Sequence, residues 1–342
     1  MRVLTSQLEL VSLDAKDWRI LREIIHNYRQ PLSSIAKTCL LSRQSVEYRL
    51  KMMHEHNLLR GSRTVINIQK LGYKSYHIFM EVHIPSQERE IIARAQHAIF
   101  VNALIVYSGK YNLEISIMAK NEQEFLQYYH QLIEGMRMRD DQILILLQTI
   151  CSEVLPSAYF PQLKEKKTAS SATSVSNKTT SDKKIMPHDI QILHALSRDA
   201  SKTNLSLAHE LGVSKDTVPY HIKSLEQHKY ILSYRPVVNY ASLGLMINSL
   251  LIKLNYTSEG ITRFEHYLKN QGSILWATKT VGYYDYIIYV ITRNLPEFHH
   301  VINGIKEQFE DIIKTYEILF AFEELKYNFM ADSILEEKKK ED

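Results

Sequence analysis

The sequence predicts an α+β fold that contains one two-part module twice. A shift of 172 residues places Asp17 on Asp189 without a gap, and a shift of 173 residues places Gly109 on Gly282. In each copy, apolar residues at helical spacing are followed by segments in which apolar and polar residues alternate, as on strands. Because this period is far longer than the roughly 20–50 residues of solenoid repeats, we interpret it as two copies of a pair of domains.

The composition is that of an ordinary globular protein of several domains. The chain has 342 residues, of which 45% are apolar and 23% charged, and this length exceeds one core. It has no apolar run of the ~20 residues needed to cross a bilayer and lacks the pattern of a signal peptide. Two cysteines, Cys39 and Cys151, are too few for a disulfide framework or a cysteine zinc site. We expect a cytoplasmic protein without a membrane partner, and a net charge of +4 permits nucleic acid without requiring it.

Each copy is predicted to begin with three helices and an extended segment. In the first copy, apolar residues recur at helical spacing from Trp18 to Ile25, and Ser42 precedes a third helix as its N-cap. We predict domains at 10–68 and 185–240, with helices at 14–28, 32–39, 43–56, 188–198, 204–211 and 215–229 and extended segments at 60–68 and 231–240.

The remainder of each copy follows the order strand, helix, strand, strand, helix, strand. The two middle strands are joined by Gly109-Lys110 in one copy and by Gly282-Tyr283 in the other, which suit tight hairpins. This order is the ferredoxin-like arrangement. The predicted domains span 73–160 and 245–330, with strands at 73–84, 101–109, 111–119, 142–154, 246–256, 274–282, 284–292 and 315–325 and helices at 86–98, 122–138, 259–270 and 296–313.

Two segments are expected to stay outside the domains. Residues 161–184 are rich in Ser, Thr and Lys, which predicts a flexible linker with a reach of about 25 Å. The alternative is that this basic segment contacts DNA phosphates. Residues 331–342 are predicted to form a charged tail.

Three helices followed by an extended segment predict a winged helix-turn-helix domain in each copy. The third helix of such a domain enters the major groove, about 12 Å wide, and presents side chains to base edges. Helix-turn-helix patterns also occur in domains that bind no DNA, but two copies with the same cap and basic residues favour double-stranded DNA as the partner. The predicted DNA-binding residues are Ser42, Arg43, Gln44, Ser45, Glu47, Tyr48, Arg49, Ser214, Lys215, Asp216, Thr217, Tyr220, His221 and Lys223 on the third helices, and Arg60, Arg63 and Arg235 on the wings.

These segments resemble the leucine-responsive/AsnC, or feast/famine, family of transcription regulators. The resemblance is carried by LDAKDWRIL and SIAKTCLLSRQSVEYRLKMMHEHNLL in the first copy, by IMPHDIQIL and LAHELGVSKDTVPYHIKSLEQHKYIL in the second, and by the strand pair WATKTVGYYDYIIYV. It implies a ferredoxin-like domain that dimerises through its sheet and binds a small effector, often an amino acid. By that resemblance the effector-binding residues are Gly109, Tyr111, Asn112, Gly282, Tyr284 and Asp285.

The chain departs from this family in three ways. Because family members usually carry one module, two modules predict an intramolecular pseudo-dimer, with further association into a homo-oligomer as an additional expectation. Asn112 replaces the aspartate of the second copy and removes a charge from the first effector site. Glu47 and Pro219 occupy positions that are often basic in the family, so the two heads are expected to read different sequences. A proline past the first turn would also cost roughly 3 kcal/mol or kink the helix.

Two other functions fit the same pattern. Sirohaem decarboxylases resemble this family, but their chemistry needs His and Arg side chains that converge on carboxylates, and the segment VNALIVYSGK before Tyr111 has neither. A sensing adaptor that binds protein would lack the steep salt dependence of phosphate contacts. Because histidines such as His54 and His56 diverge on their helix, we expect no metal site. We also expect no cofactor and no enzymatic activity.

Overall fold

The computed structural model describes residues 2, 3, 10–161 and 185–340. All but the first residue of the predicted linker at 161–184 lies outside the described residues. Within the described ranges, no helix combines the length and the apolar character needed to span a membrane.

Helices and strands follow the predicted order in both copies. The first copy contains β1 (Arg2–Val3), α1 (Ala15–His26), α2 (Leu32–Cys39), α3 (Arg43–Glu55), β2 (Leu59–Ile66), β3 (Lys74–Glu81), α4 (Pro85–His97), β4 (Val101–Ser108), β5 (Leu113–Ala119), α5 (Glu122–Ile133) and β6 (Asp140–Ser152). The second contains α6 (Pro187–Arg198), α7 (Asn204–Leu211), α8 (Thr217–Gln227), β7 (Ile231–Val238), β8 (Met246–Leu254), α9 (Ser258–Asn270), β9 (Ile274–Val281), β10 (Tyr286–Thr292), α10 (Leu295–Gln308), β11 (Ile313–Tyr327) and α11 (Asp332–Lys340).

Alternation along the strands gives each ferredoxin-like sheet two buried faces. On β3, Tyr76 and Ile78 belong to the core beneath α4 and α5, whereas Phe79 belongs to a different core on the opposite face. The second copy repeats this on β10, where Ile288 faces the helices and Ile287 faces away from them. Since successive side chains of a strand point to opposite faces, each sheet has one face covered by helices and one face that needs another partner.

That partner is the other sheet, because the strands join into one closed ring of eight. Hydrogen-bonded neighbours run in the order β11-β4-β5-β3-β6-β9-β10-β8, and β8 pairs again with β11. Two long strands make the closure: β6 pairs first with β3 and then with β9, and β11 pairs first with β8 and then with β4. Closure leaves neither sheet with a free edge. The two ferredoxin-like domains are therefore paired within the chain.

A shared ribbon links the two helical domains, which we call the heads. β2 of the first copy pairs antiparallel with β7 of the second, so the extended segments predicted after the third helices form one ribbon that the two heads share. The heads also contact each other directly, because the guanidinium of Arg29 donates to Oδ1 of Asn204 over 2.6 Å and the backbone N–H of Tyr28 donates to the carbonyl of Tyr234 over 3.0 Å.

Each head packs against the segment that follows one of the long strands. In the first head, the ring of Trp18 lies 5.6 Å from that of Phe160, which follows β6. In the second head, Ile334 of α11 is fully buried in the core of the head. The prediction of a charged tail at 331–342 is therefore wrong for the residues of α11, because apolar residues among the charged ones give this helix a buried face.

Candidate nucleic-acid interface and central cavity

The first recognition helix, α3, presents polar side chains to solvent. Ser42 caps it as predicted, since its hydroxyl accepts from the backbone N–H of Ser45 over 3.1 Å. Four of the predicted DNA-binding side chains are exposed on its outer face: Arg43, Gln44, Glu47 and Tyr48. Tyr48 is 63% exposed although it is aromatic, and such a residue is available for contact with a partner.

The second recognition helix, α8, begins two residues later than α3 does in the first copy. Ser214 does not cap it through a backbone N–H, because its hydroxyl lies 2.8 Å from that of Thr217. The late start places Pro219 in the first turn, where the missing N–H would have no acceptor within the helix. The expected kink at Pro219 is therefore wrong. The exposed predicted DNA-binding side chains of this region are Ser214, Lys215, Asp216, Tyr220 and Lys223.

Two residues predicted to bind DNA instead brace the heads. Arg49 of α3 donates to Asp14 over 2.8 Å and to Asp17 over 2.6 Å, both on or next to α1. His221 occupies the equivalent position in the second copy and bonds the fully buried carboxylate of Asp189 over 2.7 Å. Both side chains are therefore engaged with their own heads, and their assignment as DNA contacts is corrected.

The wing arginines also have other partners. Arg60 donates to the side chain of Asn57 over 2.9 Å at the end of α3. Arg63 donates to the carbonyls of Ser62 and Arg198, and Arg235 donates to the hydroxyl of Ser152 over 2.7 Å. Because Arg63 and Arg235 lie on the ribbon and line an internal cavity, their assignment to DNA-contacting wings is wrong.

The hairpins with which the resemblance associates an effector meet each other. Tyr111 and Tyr284 are fully buried, and their phenols lie close enough across the two copies for each to influence the pKa of the other. Burial raises the pKa of Tyr111 to about 12. Gly109 and Gly282 have φ values of 145° and 147°, and a Cβ atom on them would lie 2.9 Å and 2.5 Å from carbonyls of β11 and β6. These residues hold the two copies together.

Asn112 and Asp285 play matching structural roles. Oδ1 of Asn112 accepts from the backbone N–H of Val82 over 2.8 Å, and Asp285 accepts from that of Leu254 over 2.8 Å. Each therefore fixes the end of a neighbouring strand. Lys253 pairs with Asp285 over 3.0 Å, whereas the amide of Asn112 donates to the carboxylate of Glu88 over 2.7 Å.

A cavity of about 420 Å³ lies inside the strand ring, beneath the ribbon. Arg63 and Arg235 line it from the ribbon, whereas His77, Glu114 and Trp276 line it from the strands of the ring. Sequence alone did not reveal this group, because its His and Arg side chains lie outside the segment before Tyr111. Isolated polar residues at inward positions of otherwise apolar strands, such as Glu114 in LEISIMA, were the signal that could have revealed it.

Glu114 is the centre of a polar cluster at the wall of this cavity. Its carboxylate is almost fully buried and accepts from Nδ1 of His77 over 2.6 Å and from the hydroxyls of Tyr107 and Tyr289 over 2.5 and 2.6 Å. Burial and the nearby charge of Glu114 raise the pKa of both tyrosines, so they remain hydrogen-bond donors. Among the described residues, no group of three or more His, Cys, Asp or Glu side chains could hold a metal ion.

Comparisons with known proteins match both heads. A family model described as winged helix-turn-helix DNA-binding matches residues 13–60 and 187–231. The proline dehydrogenase transcriptional activator of Rhizobium radiobacter is 29% identical over 33% of this chain and 74% of its own length. The HTH-type transcriptional regulator LrpA of Pyrococcus abyssi is 29% identical over 33% of this chain and 79% of its own. The regulatory protein AsnC of Haemophilus influenzae is 23% identical over 40% of this chain and 89% of its own.

Solved structures of a siroheme decarboxylase match the whole two-module architecture. The siroheme decarboxylase NirDL superposes with a TM-score of 0.63 at 13% identity and covers 95% of this chain and 97% of its own. At that identity the likeness establishes a shared fold. The fold is α+β, with two winged helix-turn-helix domains that alternate with two ferredoxin-like domains.

Proposed function

We propose that the chain is a tandem-duplicated member of the leucine-responsive/AsnC family of transcription regulators and acts as a sequence-specific DNA-binding regulator with two reading heads. The observation that carries the proposal is the pair of outward recognition faces on α3 and α8, which the ribbon and the Arg29 contact hold in one arrangement. Such a protein would act in the cytoplasm on double-stranded DNA, without enzymatic activity.

The two heads are proposed to read different half-sites. The first face offers Arg43, Gln44 and Glu47, of which arginine pairs well with guanine, glutamine with adenine and glutamate with cytosine. The second face offers Lys215, Asp216 and Lys223 on a helix that starts later. A non-palindromic operator follows from this difference, because a palindrome mirrors two identical heads.

Binding to random-sequence duplex DNA, selected over several rounds at two salt concentrations, tests the proposal. We expect a motif with two unlike half-sites and a steep loss of affinity with salt. Arg43→Ala and Lys215→Ala should each weaken binding and reduce the salt slope by about one. Arg89→Ala removes an exposed arginine of α4, remote from both heads, and serves as the control. Weak, salt-insensitive binding without a motif would instead favour a protein-binding adaptor.

An enzyme acting on a tetrapyrrole is the second candidate, and one observation favours it. His77, Arg63 and Arg235 line the same cavity, as required for a substrate that carries several carboxylates. Titration with an iron porphyrin carboxylate, followed by absorbance and by mass spectrometry of the product, distinguishes the two. A shifted porphyrin band together with loss of carbon dioxide would support the enzyme. An unchanged spectrum would eliminate it.

A further inference from the structure

We propose that the cavity inside the strand ring binds an aromatic carboxylic acid with a second hydrogen-bonding group, and that this ligand adjusts the two heads. The site differs from the hairpins that the resemblance indicated. The coupling to DNA rests on the proposed function, whereas the binding site itself does not.

Arg235 supplies the anion-binding end of the cavity. Its guanidinium donates through Nε to Ser233 and through one hydrogen of each Nη to Ser152. The two parallel N–H groups of the Nη atoms face Ser152, so one N–H remains on each side of the guanidinium, and each can donate a single hydrogen bond to a carboxylate. In the described part of the chain no carboxylate forms an ion pair with this guanidinium, and burial lowers its pKa. The charge of nearby Glu153 opposes that shift, but without an ion pair it offsets only part of the cost of the partly buried cation, and a bound carboxylate would reduce the remainder.

Aromatic side chains form the wall next to Arg235. The guanidinium lies 6.0 Å from the ring of Trp276, which stacks on Phe329 with ring centroids 6.2 Å apart. Tyr327 packs against Phe329 at 5.1 Å, and all three rings line the cavity. A flat aromatic body fits such a wall better than a flexible chain does, because ring pairs gain from specific geometry beyond the area that they bury.

His77 supplies the polar contact for the second group of the ligand. Its Nδ1 is held by Glu114, and its Nε2 has no hydrogen-bond partner among the described residues. The carboxylate of Glu114 is already bonded to three donors, so it orients the imidazole and is shielded from an anionic ligand. Glu153 and Glu324 also line the cavity, which limits the ligand to a single carboxylate at the Arg235 end.

The polar cluster occurs once, although the chain is duplicated. The positions equivalent to His77, Glu114 and Tyr107 in the second copy are Ser249, Ile287 and Thr280. Ile287 shows that an apolar residue fits this inward position, so Glu114 is not required for packing. A buried carboxylate such as Glu114 seldom makes the fold more stable than an apolar residue would. Its presence in one copy only is therefore better explained by binding of a ligand.

The position of the cavity suggests how the ligand acts. Its roof is the β2–β7 ribbon, and each of those strands follows its recognition helix after only three residues, at 56–58 and at 228–230. A ligand that displaces the ribbon must therefore move α3 and α8 relative to each other. A ligand shifts such an equilibrium only as far as it binds one arrangement better than the other.

Calorimetric titration of the full chain tests the site without DNA. The probes are 4-hydroxybenzoate and 4-hydroxyphenylacetate, with neutral 4-hydroxybenzamide as the matched control. In a Trp18→Phe background Trp276 is the single tryptophan, and we expect its fluorescence to change on binding of the acids. Binding of neither acid, or equal binding of the amide, would overturn the proposal and leave the DNA-binding function intact.

Variants separate the site from general effects on folding. Arg235→Gln should weaken acid binding by about tenfold or more, as expected for a hydrogen bond to a charged group, whereas Arg89→Gln on α4 should not. Ala103→Leu fills the cavity without removing a polar group and should abolish binding while circular dichroism stays unchanged. Unaltered binding to a folded Ala103→Leu chain would place the ligand elsewhere.

The coupling is tested on the operator found by selection. Saturating acid should change the DNA affinity of the Trp18→Phe chain by several-fold and leave that of Ala103→Leu unchanged. An acid that binds without altering DNA affinity or the preferred half-site spacing would overturn the coupling.

Discussion

Arg49 and His221 occupy equivalent positions and have the same structural role, although their side chains differ. Each ties its recognition helix to the first helix of its head through an aspartate, Asp17 or Asp189. Between these helices a guanidinium and an imidazole are interchangeable because both donate a hydrogen bond to a carboxylate. The solvent-facing sides of α3 and α8 do not have to bond the first helix of the head, and their residues differ between the two copies.

Substitution of neighbouring arginines on α3 should separate stability from DNA binding. Arg49→Ala removes the guanidinium that bonds Asp14 and Asp17 and should lower the free energy of unfolding by about 1–3 kcal/mol. Arg43→Ala removes an exposed side chain and should change it by less than about 0.5 kcal/mol, while reducing DNA affinity. Urea unfolding followed by circular dichroism measures the first effect. Equal destabilisation by the two substitutions would contradict the bracing role of Arg49.

Asp332, the first residue of α11, should make the stability of the folded chain depend on pH. Burial raises the pKa of Asp332, but the hydrogen bond from His194 and the charge of Arg198 outweigh it and lower the pKa from 3.8 to about 2. A depressed carboxyl pKa stabilises the folded state above its unfolded value, and that contribution is lost as pH falls from about 4 to about 2. Because the side chain is 36% exposed, we expect about 1 kcal/mol, less than the full shift implies.

The measurement is the difference in unfolding free energy between the wild-type chain and Asp332→Asn as a function of pH. It should be largest above pH 4 and should shrink toward pH 2. Lys326, whose pKa burial lowers to about 8, also lies near this carboxylate, so the comparison is made below pH 7. A difference that does not change with pH would contradict the ion-pair account.

Among the elements, the hairpins were located from the sequence but their role was not. Gly109 and Gly282 suit tight turns, and the strands on either side follow from alternation. Gly282 lies close to the carbonyl of Ile143 in the other copy only because the strand ring closes. The residues around Gly282 in the sequence do not indicate this contact. The ribbon is a similar case, because a lone extended segment after α3 does not reveal whether it pairs within its head or with β7.

Gly282→Ala should therefore destabilise the chain more than an ordinary turn substitution does. The new Cβ would lie 2.5 Å from the carbonyl of Ile143, at a φ of 147°, and we expect a loss of about 3 kcal/mol from the clash and the strained backbone together. Gly135→Ala, at a φ of 76° with nothing within 4 Å, isolates the backbone strain at roughly 1 kcal/mol. Thermal unfolding compares the two, and equal losses would show that the hairpin does not need the close approach.

At the scale of the whole molecule, sequence predicts pieces better than their assembly. The order of elements follows from hydrophobic period and turn residues, which are local. The cavity is lined by all eight strands of the ring and by the ribbon, so its residues are far apart in sequence and individually resemble packing residues. The polar cluster around Glu114 could be suspected from inward polar positions, but its convergence with Arg235 could not.

The paired domains should stay together when the chain is cut between them. The β6–β9 and β11–β4 seams bind the two sheets, and the ribbon binds the heads, none of which depends on residues 166–184. With a protease site inserted there, complete cleavage should leave one species of unchanged mass in size-exclusion chromatography with light scattering at micromolar concentration. The uncut variant is the control. Separate halves after cleavage would mean that the seams are weak and that the covalent connection maintains the pseudo-dimer through high effective concentration.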